Sequence, residues 1–191
     1  MTHFRPVKLE HASRLVNHGP TVLVTSASGA HRNVMAAAWS MPVEFTPPRI
    51  AVVIDKRTYT RELVAASGAL GICIPGTALA DLTYAVGSKS GRSVDKFALH
   101  GIVAKTGPVL GVPLIESGCA AWLECRLIRE PHTEDAYDTC FVEVVAAAAD
   151  ERIFDSGHWS FRDDNVELQT IHHLGAGNFV RAGGVLRAQP L

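Results

Sequence analysis

The stretch that most constrains the fold runs from Asn33 to Glu62, NVMAAAWSMPVEFTPPRIAVVIDKRTYTRE. Ala36, Ala37 and Ala38 carry almost no side chain, so the backbone here can come within contact distance of a ring or of another backbone. Trp39 and Ser40 follow at once. Pro47-Pro48 cannot donate ladder hydrogen bonds and closes the segment; Arg49 to Ile54 then resumes as an apolar, β-branched strand. The charged, hydroxyl-rich turn Asp55-Lys56-Arg57-Thr58-Tyr59-Thr60 ends it. A flat apolar surface beside anion-binding groups suits a phosphorylated aromatic cofactor, while a small-residue strand under a helix, followed by a solvated turn, has the same composition.

The other elements follow from local signals. Leu9 to Asn17 reads as a short helix ended by Gly19-Pro20, and Thr21 to Met41 as a hairpin turning at Ala27 to His31. A helix over Thr60 to Ala66, capped by a threonine and stopped by Gly68, precedes a buried strand, Leu70 to Ile74. A second helix, Ala78 to Ala85, has Gly87 as its expected C-terminal cap. Ile102 to Lys105 reads as a short strand. Cys119 to Ile128 alternates, with Cys119, Ala121, Leu123, Cys125 and Leu127 on one face and Glu124 and Arg126 on the other, as in a half-buried strand. Phe141 to Ala149 is its expected antiparallel neighbour across a polar excursion, Glu130 to Asp138. NVELQTIHHL, in the tail, reads as a short helix. These signals predict a mainly β fold with short helices, a closed or nearly closed antiparallel barrel.

A chain of 191 residues has length for one core, so a single domain over 1–191 is expected. Net charge is −1 with the two signs interspersed, which recommends neither nucleic acid nor a membrane surface as partner. The N-terminal stretch lacks the apolar core of a signal peptide, so a cytoplasmic location is expected. Cys73, Cys119, Cys125 and Cys140 have no CxxC spacing and read as buried, inert thiols; the histidines show no regular ligand spacing, so no metal site is assigned. Ser88 to Phe97, SKSGRSVDKF, places three hydroxyls, a glycine and three cations in ten residues. That composition can ring a phosphate, or form an ordinary polar loop.

Taken in order, NVMAAAWSMPVEFTPPRIAVVIDKRTYTREL, TYAVGSKSGRSVDKF, SGCAAWLEC and HHLGAGNF resemble the flavin reductase-like family of FMN-binding split barrels, and its flavoredoxin-type members in particular. The resemblance spans about Pro20 to Phe179. It implies an antiparallel, Greek-key-like split β-barrel with FMN as cofactor. Ala36, Ala37, Ala38, Trp39 and Ser40, on the strand that Asn33 begins, would line the isoalloxazine edge. Lys56, Arg57, Thr58 and Thr60 would lie near the ribityl chain and phosphate, with Ser88, Ser90, Gly91 and Lys96 completing the phosphate site. Glu44 departs from the small hydroxyl residue that many relatives carry before the Pro-Pro pair. The resemblance also implies a homodimer, here with the Trp122 and Ile128 face turned to the partner. The expected activity is that of an FMN-dependent oxidoreductase, in which NAD(P)H reduces bound flavin and electrons pass to a flavin, ferric or protein acceptor. A non-enzymatic electron carrier reduced by a partner protein is the alternative. Flavin supplies the redox chemistry, so no catalytic side chain is assigned; His172 and His173 are candidates for contacting the reductant.

Overall fold

The computed structural model describes residues 3–189; Met1, Thr2, Pro190 and Leu191, which the expected span of 1–191 includes, lie outside them. Strand β1 (Phe4–Pro6) and a 3-10 turn (Leu9–Leu15) lead into the hairpin of β2 (Val22–Ser28) and β3 (His31–Ala37). A second hairpin, β4 (Ser40–Phe45) and β5 (Pro48–Val53), is followed by α1 (Tyr59–Ser67), β6 (Ala69–Pro75), α2 (Ala80–Ser88) and α3 (Lys96–Leu99). The short pair β7 (Lys105–Thr106) and β8 (Pro113–Leu114) precedes β9 (Cys119–Ile128), α4 (Pro131–Tyr137) and β10 (Thr139–Asp150). Two small hairpins complete the chain: β11 (Phe154–Asp155) with β12 (His158–Trp159), and β13 (Ile171–Gly175) with β14 (Asn178–Arg181).

The main sheet is antiparallel in the order β3-β2-β6-β9-β10-β5-β4, with β1 added to the far end of β10. Its two edge strands, β3 and β4, are consecutive in sequence and separated by Ala38 and Trp39 alone. Two residues reach roughly 7 Å when extended, so the sheet must curl until its edges meet there. β3 and β4 share no ladder, which leaves the barrel split at this corner. The fold is therefore the mainly β, antiparallel split barrel that the sequence predicts. Among the described residues no helix is long and apolar enough to cross a membrane.

The inner core gathers Val22, Val24, Ile50, Val52, Leu70, Ile72, Leu123 and Val142. A second core, on the other side of β2, β6 and β9, gathers Leu23, Cys73, Val86, Phe97, Leu114 and Trp122. β6 is buried along its whole length because it lies between the two. For the same reason β9 is not half-buried as expected: Arg126 is exposed, but Glu124 is fully buried, and its carboxylate accepts the N–H groups of Val109 and Leu110, each at 2.8 Å. The loop that follows β7 covers this face. Trp122, expected to face a partner, packs into the second core instead and donates to Glu116 Oε1 at 3.3 Å.

Four local expectations also change. Gly87 lies inside α2 and Lys89 is the cap. Ile102 to Ala104 is loop, with strand beginning at Lys105. The Glu130 to Asp138 excursion contains α4, started by Pro131 and stopped by Asp138 in the left-handed region at φ 53°. The tail segment NVELQTIHHL is part 3-10 turn (Asp163–Leu168) and part β13, because His172 and His173 pair with Val180 and Phe179. All four cysteines are buried, and desolvation pushes the Cys73 thiol up to about 12 and the Cys140 thiol to about 11.

Candidate functional site

The open corner of the barrel forms one wall of a trough whose other walls are α2, the start of α1 and the β13–β14 hairpin. Its polar compartment, of about 430 Å³, lies between Asn33, the turn before α1 and the loop after α2. An apolar compartment of about 220 Å³ continues from it past Ala38 and Tyr84 to His173 and Phe179. Ala36, Gly87 and Ser88 line both. A glycine within a helix costs about 1 kcal/mol relative to alanine. Here a Cβ on Gly87 would sit 3.4 Å from the Ala36 Cβ and raise the floor of the trough.

The polar compartment is built from capped ends and buried donors. Thr58 caps α1: its hydroxyl accepts from the Arg61 N–H at 3.2 Å and donates to the Asp55 carbonyl at 2.8 Å. Tyr59 and Thr60, the first two residues of this nine-residue helix, line the cavity, so its N-terminus and the positive end of its dipole lie beside it. Asn33 Nδ2 donates to Thr60 Oγ1 at 2.9 Å, leaving the Thr60 hydroxyl proton free for a ligand. Lys96 is buried, and its Nζ donates to the carbonyls of Val34 at 2.9 Å and Val86 at 2.6 Å. An ammonium has three donors, so one remains. Desolvation lowers the Lys96 pKa to about 8. Arg57 is exposed and held by Asp55 at 2.7 Å, and this hydrogen bond draws the Asp55 carboxyl down to about 2. Gly91 packs against the Asn33 side chain, where a Cβ would lie 2.1 Å from Oδ1.

Asn33, Arg57, Thr58, Thr60, Ser88, Ser90, Gly91 and Lys96 thus line one compartment, and Ala38 and His173 line the other, with Ala36 between. The remaining candidates lie elsewhere. Successive strand residues face opposite sides, so Ala37 points into the inner core while Ala36 points into the trough. Trp39 is 73% exposed at the corner. Ser40 follows it on β4, with its Oγ buried and unpartnered. Lys56 turns to α4, bonding the Asp135 carbonyl and lying 3.7 Å from Asp138. His172 turns away from the trough to His18, 5.6 Å between ring centroids, and its Nδ1 pairs with the Gly19 carbonyl. Burial, together with His172, lowers the His18 pKa to about 4. Glu44 is exposed and lines neither compartment; its carboxylate accepts from the Phe45 N–H.

Tyr59, Thr83, Tyr84, Gly87 and Phe179 also line the trough and were not among the sequence candidates. The i, i+4 spacing of Tyr84 and Ser88 on α2 could have marked its trough-facing side. The GAGN turn after His173 could have placed Phe179 across a hairpin from it; their rings are 5.2 Å apart.

The residues present fit a phosphorylated flavin. Hydroxyl, ammonium and helix-start N–H donors gather at one end, a side-chain-free floor runs along the middle, and aromatic walls stand at the other. Lys96→Ala is expected to weaken FMN on the order of tenfold, one charge-assisted hydrogen bond, and to leave riboflavin nearly unchanged. Phosphate prefers the protonated amine, so wild-type affinity should fall as pH rises through about 8, and the variant should lose that dependence. Fluorescence titration of both ligands across pH checks this, and equal losses for the two would mean that Lys96 does not read phosphate.

Residues 14–163 match the model of the flavin reductase like domain. The chain is 57% identical over 185 residues to the uncharacterized protein YddH of Escherichia coli (strain K12), covering 96% of this chain and 97% of that one. Among solved structures, it is similar to an FMN-binding domain of a flavin reductases-like enzyme from Shewanella baltica OS155, with a TM-score of 0.93 and 39% identity over 97% of each chain. It is also similar to the flavoredoxin of Desulfovibrio vulgaris (Miyazaki F), with a TM-score of 0.77 and 26% identity over 89% of this chain and 90% of that one. On the match of most of its length, and with the split barrel common to these neighbours, the chain belongs to the flavin reductase-like domain family.

Proposed function

We propose that the protein binds FMN in this trough and acts as an oxidoreductase, taking electrons from NAD(P)H and passing them to a flavin, ferric or protein acceptor. The observation that carries this reading is the continuity of the phosphate-fitting and apolar compartments over the Ala36–Gly87 floor. Bound flavin would supply hydride acceptance and electron release. The chain's own groups bind and orient. The start of α1, the Thr60 hydroxyl and the Lys96 ammonium hold the phosphate, Ala36 and Gly87 admit a ring at contact distance, and His173 and Phe179 stand at the mouth where a nicotinamide must approach closely.

Anaerobic mixing of the FMN-loaded protein with NADH or NADPH is expected to bleach the visible flavin absorbance, and a free flavin or ferric acceptor should restore it. His173→Ala should raise the nucleotide concentration for half-maximal bleaching about fivefold, the loss of roughly 1 kcal/mol of aromatic contact, without releasing FMN. His172→Ala should leave that concentration unchanged. Protein that dithionite reduces but neither nucleotide bleaches would contradict the reductase reading and favour an electron carrier, as the similarity to a flavoredoxin suggests.

We infer further that a homodimer buries the corner of β4, where Trp39, Met41 and Phe45 are 73%, 59% and 71% exposed beside Ala38 of the trough. Exposed apolar side chains concentrated on an edge strand mark an interaction surface. Light scattering is expected to give twice the chain mass, and one chain mass for Met41→Glu; a monomeric wild type would refute it.

A further inference from the structure

The polar compartment does not end at the phosphate-fitting groups. Tyr59 and Gly91 also line a second hollow of about 270 Å³, between the β2–β3 turn and the loop before α3. His31, Arg32 and Arg92 line it too. The Arg32 guanidinium carbon lies over the Phe97 ring, 4.3 Å from its centroid, and Arg32 pairs with no carboxylate among the described residues. Arg92 lies 5.6 Å from the Tyr59 ring centroid and pairs with Glu62 at the rim. Asp95, the acid among the lining residues, is already committed: its Oδ1 accepts the N–H groups of Phe97 at 2.9 Å and Ala98 at 3.2 Å. The two hollows adjoin at Tyr59 and Gly91, which line both.

A single phosphomonoester is matched within the first compartment by Lys96, Thr60 and the start of α1. Arg32 is surplus to that charge. A guanidinium stacked on a ring keeps its edge free, and that edge binds phosphate through paired N–H groups. We propose that this hollow is a second phosphate subsite, adjoining the first, that takes a phosphate of an adenine nucleotide. The proposal rests on the reading that the first compartment holds the flavin phosphate. Two molecules carry the required group: NADPH through its 2′-phosphate, and a flavin adenine dinucleotide through its adenylyl phosphate.

The test has two binding arms, neither of which needs hydride transfer. FMN-loaded protein is titrated calorimetrically with 2′,5′-ADP and with 5′-AMP, and in a separate experiment FAD is used to displace bound FMN. Arg32→Met removes the charge while keeping an apolar cover on Phe97. It is expected to weaken one of the two, 2′,5′-ADP or FAD, about tenfold and to change FMN affinity less than twofold. Loss of 2′,5′-ADP binding assigns the subsite to the phosphorylated nicotinamide nucleotide, and loss of FAD binding assigns it to the flavin dinucleotide. The proposal is overturned if neither ligand responds, or if FMN weakens as much as the responding ligand. Both arms remain readable in protein that no nicotinamide nucleotide bleaches, so failure of the reductase reading and failure of the subsite are separable.

Discussion

Gly91→Ala is expected to weaken FMN binding by a hundredfold or more. The added Cβ would fall 2.1 Å from Asn33 Oδ1 and 2.5 Å from its Cγ. Asn33 cannot swing clear without cost, because it is buried and holds the Thr60 hydroxyl through Nδ2 at 2.9 Å. Either the loop after α2 moves outward, taking Ser88 and Ser90 with it, or the Asn33–Thr60 bond breaks and the Thr60 hydroxyl loses its orientation. Losing two charge-assisted hydrogen bonds, about 1.5 to 3 kcal/mol each, corresponds to a hundredfold or more. Riboflavin, which lacks the phosphate, should lose about tenfold at most. Unaltered FMN affinity, measured by fluorescence quenching, would contradict this placement of the phosphate.

Glu134→Ala is expected to cost about 3 to 5 kcal/mol of folding stability, the cost of leaving a buried charge unpaired. Glu134 and Arg61 are both buried, and the Arg61 guanidinium meets Glu134 Oε2 at 2.9 Å. The same carboxylate receives Arg129 at 3.3 Å and the Glu130 N–H at 3.0 Å. The pair ties α4 to α1, whose first turn supplies donors to the trough. Replacing both partners, Arg61→Met with Glu134→Leu, should recover most of the loss, since apolar packing can substitute for a buried ion pair. Urea unfolding of the three proteins checks this; a single variant as stable as wild type would mean that Arg61 finds water or another partner.

Local chemistry made much of the fold legible. Pro48 at the start of β5, Thr58 and Gly68 at the ends of α1, and the glycine turn between β2 and β3 are short-range signals, and the elements follow them. What sequence could not show depends on tertiary context. Glu124 reads as a surface residue of an alternating strand, yet a distant loop brings it the N–H groups of Val109 and Leu110. Gly87 reads as a helix stop because its actual neighbour, Ala36, is fifty-one positions away in sequence. Lys96 is legible as a phosphate-site cation, but not its burial, nor the Val34 and Val86 carbonyls that its Nζ meets from separate elements. At the site, three consecutive alanines suggest one flat surface, while strand alternation sends Ala37 to the core and leaves Ala36 in the trough. Neighbouring histidines separate in the same way, His173 toward the trough and His172 toward His18.

The most direct test of the account is the flavin content of the purified protein. Acid release followed by chromatography is expected to yield FMN at close to one per chain from a yellow protein, because the phosphate donors, the bare floor and the aromatic walls lie in one continuous trough. Colourless protein that also takes up no added FMN would contradict it.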